Sequence, residues 1–353
     1  MTEISYIPRP RENHRLFGHA SVEAVLHEAC SAGRLHHSLL FSGPSGIGKS
    51  TLAYRLARYL LKPQEGGFLE LDWPVADSFE ISPEDPVFRQ IAVGGHPALY
   101  TVERAQNPDT GKRARDITVG DIRGLSGFFR MTNGVGGWRV AIVDPADSMN
   151  LNAANALLKI LEEPPKRSVI ILISHAPGRL LPTIRSRCHV VQMSPPLPEA
   201  LLAALEALDL SPSKEDLALL TELSRGSIGE AATLLQLDGV TMYQEIRRLL
   251  DRRNGGFDSE LDVFADRLGR KGQEDAFELF CRLMLCAIGD KITSVAREGL
   301  IPQFGGELDS WLDVWEKVHD LLAQAAKLGL DRKHVVLNAF LHASSARTDA
   351  GIG

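Results

Sequence analysis

Ser38-Leu39-Leu40-Phe41-Ser42-Gly43-Pro44-Ser45-Gly46-Ile47-Gly48-Lys49-Ser50-Thr51 decides the fold. Its first four residues read as a buried strand. Gly43 to Ser50 matches GxxxxGK[ST] without a mismatch, and the periodic stretch Lys49 to Leu61 reads as an amphipathic helix. Glycines in such a loop let backbone N–H groups turn inward and cradle phosphate oxygens at the positive end of the helix. Lys49 is placed to reach β- and γ-phosphates, and the Ser50 hydroxyl to complete a Mg²⁺ shell. Gly43 through Thr51 is therefore the expected nucleotide-binding stretch, with ATP and Mg²⁺ as its ligands.

Outward from this loop, Leu99 to Val102, Arg139 to Val143 and Val169 to Ile173 are further strand candidates. Helical stretches lie between them. Val119 to Arg130 has Thr118 as its N-cap and Asp121 at its third position, and Asn152 to Glu162 is stopped by Pro164-Pro165. Strands alternating with helices predict a parallel sheet with helices on both faces. After Ser194-Pro195-Pro196 the pattern turns helical. Leu201, Leu202, Leu205 and Leu208 form one stripe, Leu217, Leu219, Leu220 and Leu223 a second, and Tyr243 to His342 is helix-patterned throughout. The expected organisation is an α/β domain over 1–195, a small helical domain over 196–242, an all-α domain over 243–343 and a disordered tail over 344–353. Residues 62–97 carry five prolines and seven acids against two bases, and read as a solvated acidic insertion with little regular structure.

Across its 353 residues the chain is 44% hydrophobic and 24% charged, the balance of a globular protein with a sizeable core. It holds 39 basic and 45 acidic residues, a net charge of −6. A protein that grips nucleic acid alone through its phosphates is usually basic, so any DNA contact is expected to be shared with partners. The four cysteines include no CxxC pair, which argues against a disulfide scaffold and against a structural zinc. The prolines and acid of the first residues do not make a signal peptide, and no apolar run approaches the ~20 residues of a membrane span. A cytoplasmic location is expected.

Val140-Ala141-Ile142-Val143-Asp144 is an apolar strand ending in an acid, so Asp144 joins Ser50 as a candidate magnesium residue. The next residue, where a water-polarising glutamate would serve hydrolysis, is Pro145. Asp147 is read as orienting the following loop rather than replacing that acid. Ser174 and His175 close the Val169 strand and are the candidate phosphate sensors. Further on, Arg185-Ser186-Arg187-Cys188 offers a planar guanidinium suited to a neighbour's phosphate.

The P-loop, the run Asn155-Ala156-Leu157-Leu158-Lys159-Ile160-Leu161-Glu162-Glu163-Pro164-Pro165 and the stretch Leu181-Pro182-Thr183-Ile184-Arg185-Ser186-Arg187-Cys188 together resemble bacterial DNA polymerase III clamp-loader subunits, which are AAA+ proteins. The resemblance covers the first 240 residues. It implies an α/β P-loop AAA+ domain, a helical lid over 196–242 and a C-terminal collar over 243–343. Three departures set the chain apart from the ATP-hydrolysing gamma/tau subunits and make it similar to the delta-prime type. Pro145 replaces the Walker B glutamate, Gly229 of Gly226-Ser227-Ile228-Gly229-Glu230 stands where a sensor-2 arginine would be, and the four-cysteine zinc module is absent.

On that resemblance Arg187 is an arginine finger acting in trans, and the chain binds ATP while hydrolysing it poorly. The implied partners are gamma/tau and delta subunits in a hetero-pentameric ring, the sliding clamp, and primed template DNA reached through the complex. The alternatives are a gamma/tau-type motor, which would need the missing glutamate, and an autonomous P-loop ATPase, which would need a replacement base.

Overall fold

The computed structural model describes residues 7–63, 78–105, 114–130, 137–252, 259–298 and 305–349. The chain divides into two compact units, Ser5–Ser211 with Ser224–Glu230, and Pro212–Leu223 with Met1–Ile4 and Ala231–Gly353. The first contains α1 (Ala20–Ser31), β1 (Ser38–Ser42), α2 (Lys49–Leu61), α3 (Pro86–Ala92), β2 (Leu99–Glu103), α4 (Val119–Arg130), β3 (Arg139–Asp144), α5 (Leu151–Glu162), β4 (Ser168–Ser174), α6 (Pro182–Arg185), β5 (His189–Gln192) and α7 (Pro198–Glu206).

The strands form one parallel sheet in the order β2-β3-β4-β1-β5. Every residue of β1 and β4 is buried, as strands covered on both faces require. Side chains alternate between two apolar layers. Leu39, Phe41, Ile142 and Ile171 face α2 residues such as Leu52 and Leu56, while Leu40, Ala141, Ile170 and Leu172 join Ile122 and Leu125 of α4 and Leu157 of α5. This is the parallel sheet with helices on both faces that the alternation of strands and helices predicts.

Among the described residues, the regular structure of the other unit is all helical. It holds most of α8 (Lys214–Ser224) and of α9 (Ile228–Gln236), then α10 (Gly239–Asp251), α11 (Ser259–Gly269), α12 (Glu274–Glu298), α13 (Gly305–Leu328) and α14 (Arg332–Asp349). Phe264, Phe280 and Phe340 meet at centroid distances of 5.9–6.3 Å and knit α11, α12 and α14. Lys333 adds ion pairs to Asp262 and Asp266 at 2.8 and 2.7 Å.

Three details differ from the sequence reading. The acidic insertion 62–97 has an ordered part: Phe79, Ile81, Val87, Phe88 and Ile91 are buried, and α3 starts where Asp85 accepts the Val87 N–H at 2.9 Å with Pro86 at the first helical position. Its remainder, 64–77, lies outside the described residues. The tail expected to be disordered from 344 instead continues the helical backbone of α14 to Asp349; residues 350–353 lie outside the described residues. The segment 196–242, expected as one small domain, is shared between the two units.

Candidate functional site

Because β1, β3 and β4 are parallel, their carboxyl ends bring the P-loop, Asp144 and Ser174 to one edge of the sheet. Open α/β sheets bind ligands at that edge. The loop takes positive φ at Gly46 (+77°) and Gly48 (+105°), a region that favours glycine. A Cβ on Gly46 would lie 1.9 Å from Ser227 Oγ, and the Ile228 N–H donates to Gly46 O at 3.3 Å, so the turn that opens α9 rests on the loop. Buried His19 supports it from α1, its Nε2–H donating to Ile47 O at 2.6 Å. Burial holds that imidazole below its ordinary pKa, in the neutral form.

Lys49 is 2% exposed and donates to Gly43 O at 2.8 Å and to Pro44 O. Burial pushes its ammonium down to about 8, against the opposing pull of Asp144 and Asp147. The Ser50 hydroxyl donates to Asp144 Oδ2 at 2.6 Å, joining the two candidate magnesium residues. Pro145 follows, and Asp147 Oδ1 accepts the His175 N–H at 2.8 Å, which fixes the end of β4. Ser174 Oγ and His175 Nδ1 are buried with no hydrogen-bond partner among the described residues. Burial, and then the charge of Lys49, keep the His175 imidazole neutral.

A cavity of about 570 Å³ opens over these groups, bounded by Lys49, Ser50, His175, Leu208, Gly229 and the N-terminal segment 7–17. That volume is within the range of small-molecule sites. The donor set fits a magnesium nucleotide: a cationic amine beside a loop of backbone N–H groups for phosphates, two orphaned polar atoms beside it, and a hydroxyl–carboxylate pair for a hard cation. Gly229 borders the cavity, and a Cβ built on it meets nothing within 4 Å.

The N-terminal segment is a part of the site that the sequence reading missed. Arg55 and Arg58 project from α2 and hold it by its carbonyls. Arg58 donates to Arg11 O at 2.6 Å and Asn13 O at 2.9 Å, with its guanidinium 4.1 Å from the centre of the Phe88 ring. Arg55 donates to His14 O and pairs with Glu23 at 2.7 Å. Two buried arginines in a helix otherwise facing the core were the available signal, since coil without periodicity carries none of its own. Register adds another residue: Glu103 on β2 lies beside Asp144 on β3.

Arg187 is far from this edge. It precedes β5, whose His189 pairs with Leu39 and whose Gln192 pairs with Ser42 just before the P-loop. At roughly 3.3 Å per residue, about 15 Å of strand separates Arg187 from its own loop. Its Nη1 donates to Thr183 O at 3.0 Å, its Nη2 lies 2.9 Å from Glu162 Oε1, and the side chain is 38% exposed. Ser186 Oγ donates to the same Thr183 carbonyl at 3.1 Å. Cys188 packs against the core cluster that includes Leu180 and Ile184, and burial pushes its thiol up to about 12. Arg185 is exposed.

Residues 18–196, half of the chain, match the family described as DNA polymerase III, delta subunit. The chain belongs to this family. Within curated relatives of the polymerase, it is 40% identical over 217 residues to DNA polymerase III subunit delta' of Pseudomonas aeruginosa, covering 61% of this chain and 60% of that one. It is 34% identical over 207 residues to DNA polymerase III subunit delta' of Escherichia coli, covering 59% and 57%. DNA polymerase III subunit gamma/tau of Mycobacterium bovis is 34% identical over 181 residues, covering 51% of this chain and 28% of that one. The chain thus spans less than two thirds of the length of the delta' relatives it matches. Among the described residues, no helix is long and apolar enough to cross a membrane.

Proposed function

We propose that this chain is a delta-prime-type stator of a DNA polymerase III clamp loader. In this reading it binds Mg²⁺-ATP at the P-loop, turns it over slowly or not at all, and lends Arg187 to the nucleotide site of an adjoining gamma/tau motor. With a delta subunit these form a hetero-pentameric cytoplasmic ring that opens the sliding clamp and sets it on primed template DNA. The helices that follow residue 196 supply the lid and the collar of this reading.

The observation that carries the reading is Pro145. It follows Asp144 where the water-polarising acid of a motor would stand, beside an otherwise complete phosphate and magnesium site. Proline holds no proton and accepts none, so the site binds without activating water. Asp147 is committed to the His175 N–H. The bound nucleotide would supply the phosphate charge that Lys49 and the loop N–H groups meet. The chain's own role is to hold it and to present Arg187 elsewhere.

The test is ATP retention and turnover by the purified full chain, then by the chain assembled with motors and delta. Retention of ATP with Mg²⁺, and turnover no faster than a Lys49→Ala control, supports the stator. The complete Ser50–Asp144 pair favours a second reading, a gamma/tau-type motor. Robust turnover by the purified chain that Lys49→Ala abolishes would select it.

A further inference from the structure

The contact between Glu162 and Arg187 has no evident purpose in stability. Both side chains are substantially exposed, 49% and 38%, and an ion pair in that setting adds little to the folded state. Its position is another matter. Glu162 is the last residue of α5, and Thr183 lies in the opening turn of α6. The two elements grip one guanidinium from separate anchors: Glu162 Oε1 lies 2.9 Å from Nη2, and Thr183 O accepts from Nη1 at 3.0 Å. Cys188, the next residue, is partly buried against the core cluster of Leu180 and Ile184. An unrestrained arginine samples many rotamers and loses that freedom when it meets a phosphate. Here the planar fork is already oriented in the free chain, and two of its N–H groups define its plane while the remaining donors stay available.

We propose that Glu162 is the positioning residue of Arg187: its carboxylate presets the guanidinium for the terminal phosphate of a nucleotide bound to the neighbouring subunit. This inference rests on the reading of Arg187 as a trans-acting finger. A group that must stabilise charge developing in phosphoryl transfer works best when its orientation is fixed beforehand. Glu162 touches no substrate in this scheme. It acts through Arg187 alone.

The experiment uses the reconstituted complex with wild-type motors and full-length Glu162→Gln, Glu162→Asp, Arg187→Ala and Glu162→Gln/Arg187→Ala chains. Steady-state ATP turnover is read as separate kcat and KM values, alongside the melting temperature of each chain. Glu162→Gln is expected to lower kcat roughly three- to tenfold with KM and melting temperature unchanged, because orientation rather than binding is lost. Glu162→Asp keeps the charge on a shorter arm and recovers part of that loss. In the Arg187→Ala background, Glu162→Gln is expected to add nothing, since its target is gone. If Arg187→Ala leaves turnover at the wild-type value, the finger reading falls and this inference with it. If Arg187→Ala lowers kcat while Glu162→Gln does not, or if Glu162→Gln costs as much without Arg187, the positioning role alone is overturned. A rise in kcat in Glu162→Gln would likewise overturn it, by showing that the pair restrains the finger instead of aiming it.

Discussion

The Ser50 hydroxyl and the Asp144 carboxylate, 94 residues apart in sequence, are joined by a 2.6 Å hydrogen bond at the carboxyl edge of the sheet. The bond sets an oxygen of each where one hard cation can take both. Asp144→Asn keeps the shape and removes the charge, so ATP affinity in the presence of Mg²⁺ should fall by about tenfold while affinity in EDTA stays unchanged. Nucleotide titrations of the two proteins with and without Mg²⁺ check this. An equal loss in both conditions would mean that Asp144 supports the loop instead of the metal.

Lys49 makes nucleotide binding depend on pH in a definite direction. Its ammonium is pushed down to about 8, chiefly by burial, and phosphate favours the charged form. Affinity should be level below about 8 and fall above it, by up to tenfold per pH unit, because binding then takes up a proton. The nucleotide-free chain should show the opposite trend in stability. Its folded pKa lies below the ordinary 10.5, so stability rises with pH between about 8 and 10.5. Lys49→Arg stays protonated throughout and should flatten the binding profile.

Gly229 borders the cavity with open space where a side chain would begin. Gly229→Arg should therefore fold normally and bring a cation to the phosphates. ATP should be held about three- to tenfold more tightly, with turnover still absent because Pro145 is unchanged. Tighter retention without hydrolysis separates holding from chemistry. Weaker binding would show that the side chain fills the nucleotide's own space.

His19 props the P-loop by donating to Ile47 O at 2.6 Å from a ring only 3% exposed. His19→Ala leaves that carbonyl unpaired beside a small cavity and should lower stability by about 2 kcal/mol. The ring's folded pKa lies below 6.5, so its contribution is complete above 6.5 and declines as the pH falls through that value. Urea unfolding near neutral pH and near pH 5 should show the gap between wild type and variant narrowing in acid. A gap that widens in acid would contradict a neutral ring.

The parts of the fold that the sequence discloses are those whose burial is two-sided. β1, β3 and β4 are nearly continuous apolar runs; β1 leads directly into the P-loop, and β3 and β4 end on Asp144 and Ser174. β5 escapes notice because it is four residues long with one buried side chain, at the sheet's edge. The segment 7–17 escapes for a different reason. Its place is set by Arg55 and Arg58 more than 40 residues away, and long-range polar anchoring leaves no local period. In the site itself, Lys49, Ser50 and Asp144 were legible because each sits at a fixed offset from a motif. The pairing of Glu103 with Asp144 was not, since it depends on strand order, and neither was the Glu162–Arg187 contact, which depends on how α5 and α6 meet.

The loop that would receive a phosphate lies at one end of the strands and the guanidinium that would be offered lies at the other. A unit built this way has a head and a tail. Contacts made through those two ends are heterologous, so successive units line up in a single sense, and reversing any one of them would put two loops or two guanidinium groups face to face. Such a series has a first and a last member even when it curves round on itself. If this chain is the stator proposed above, it is the member whose tail alone takes part in turnover, and a proline beside Asp144 would leave the events around it unbroken.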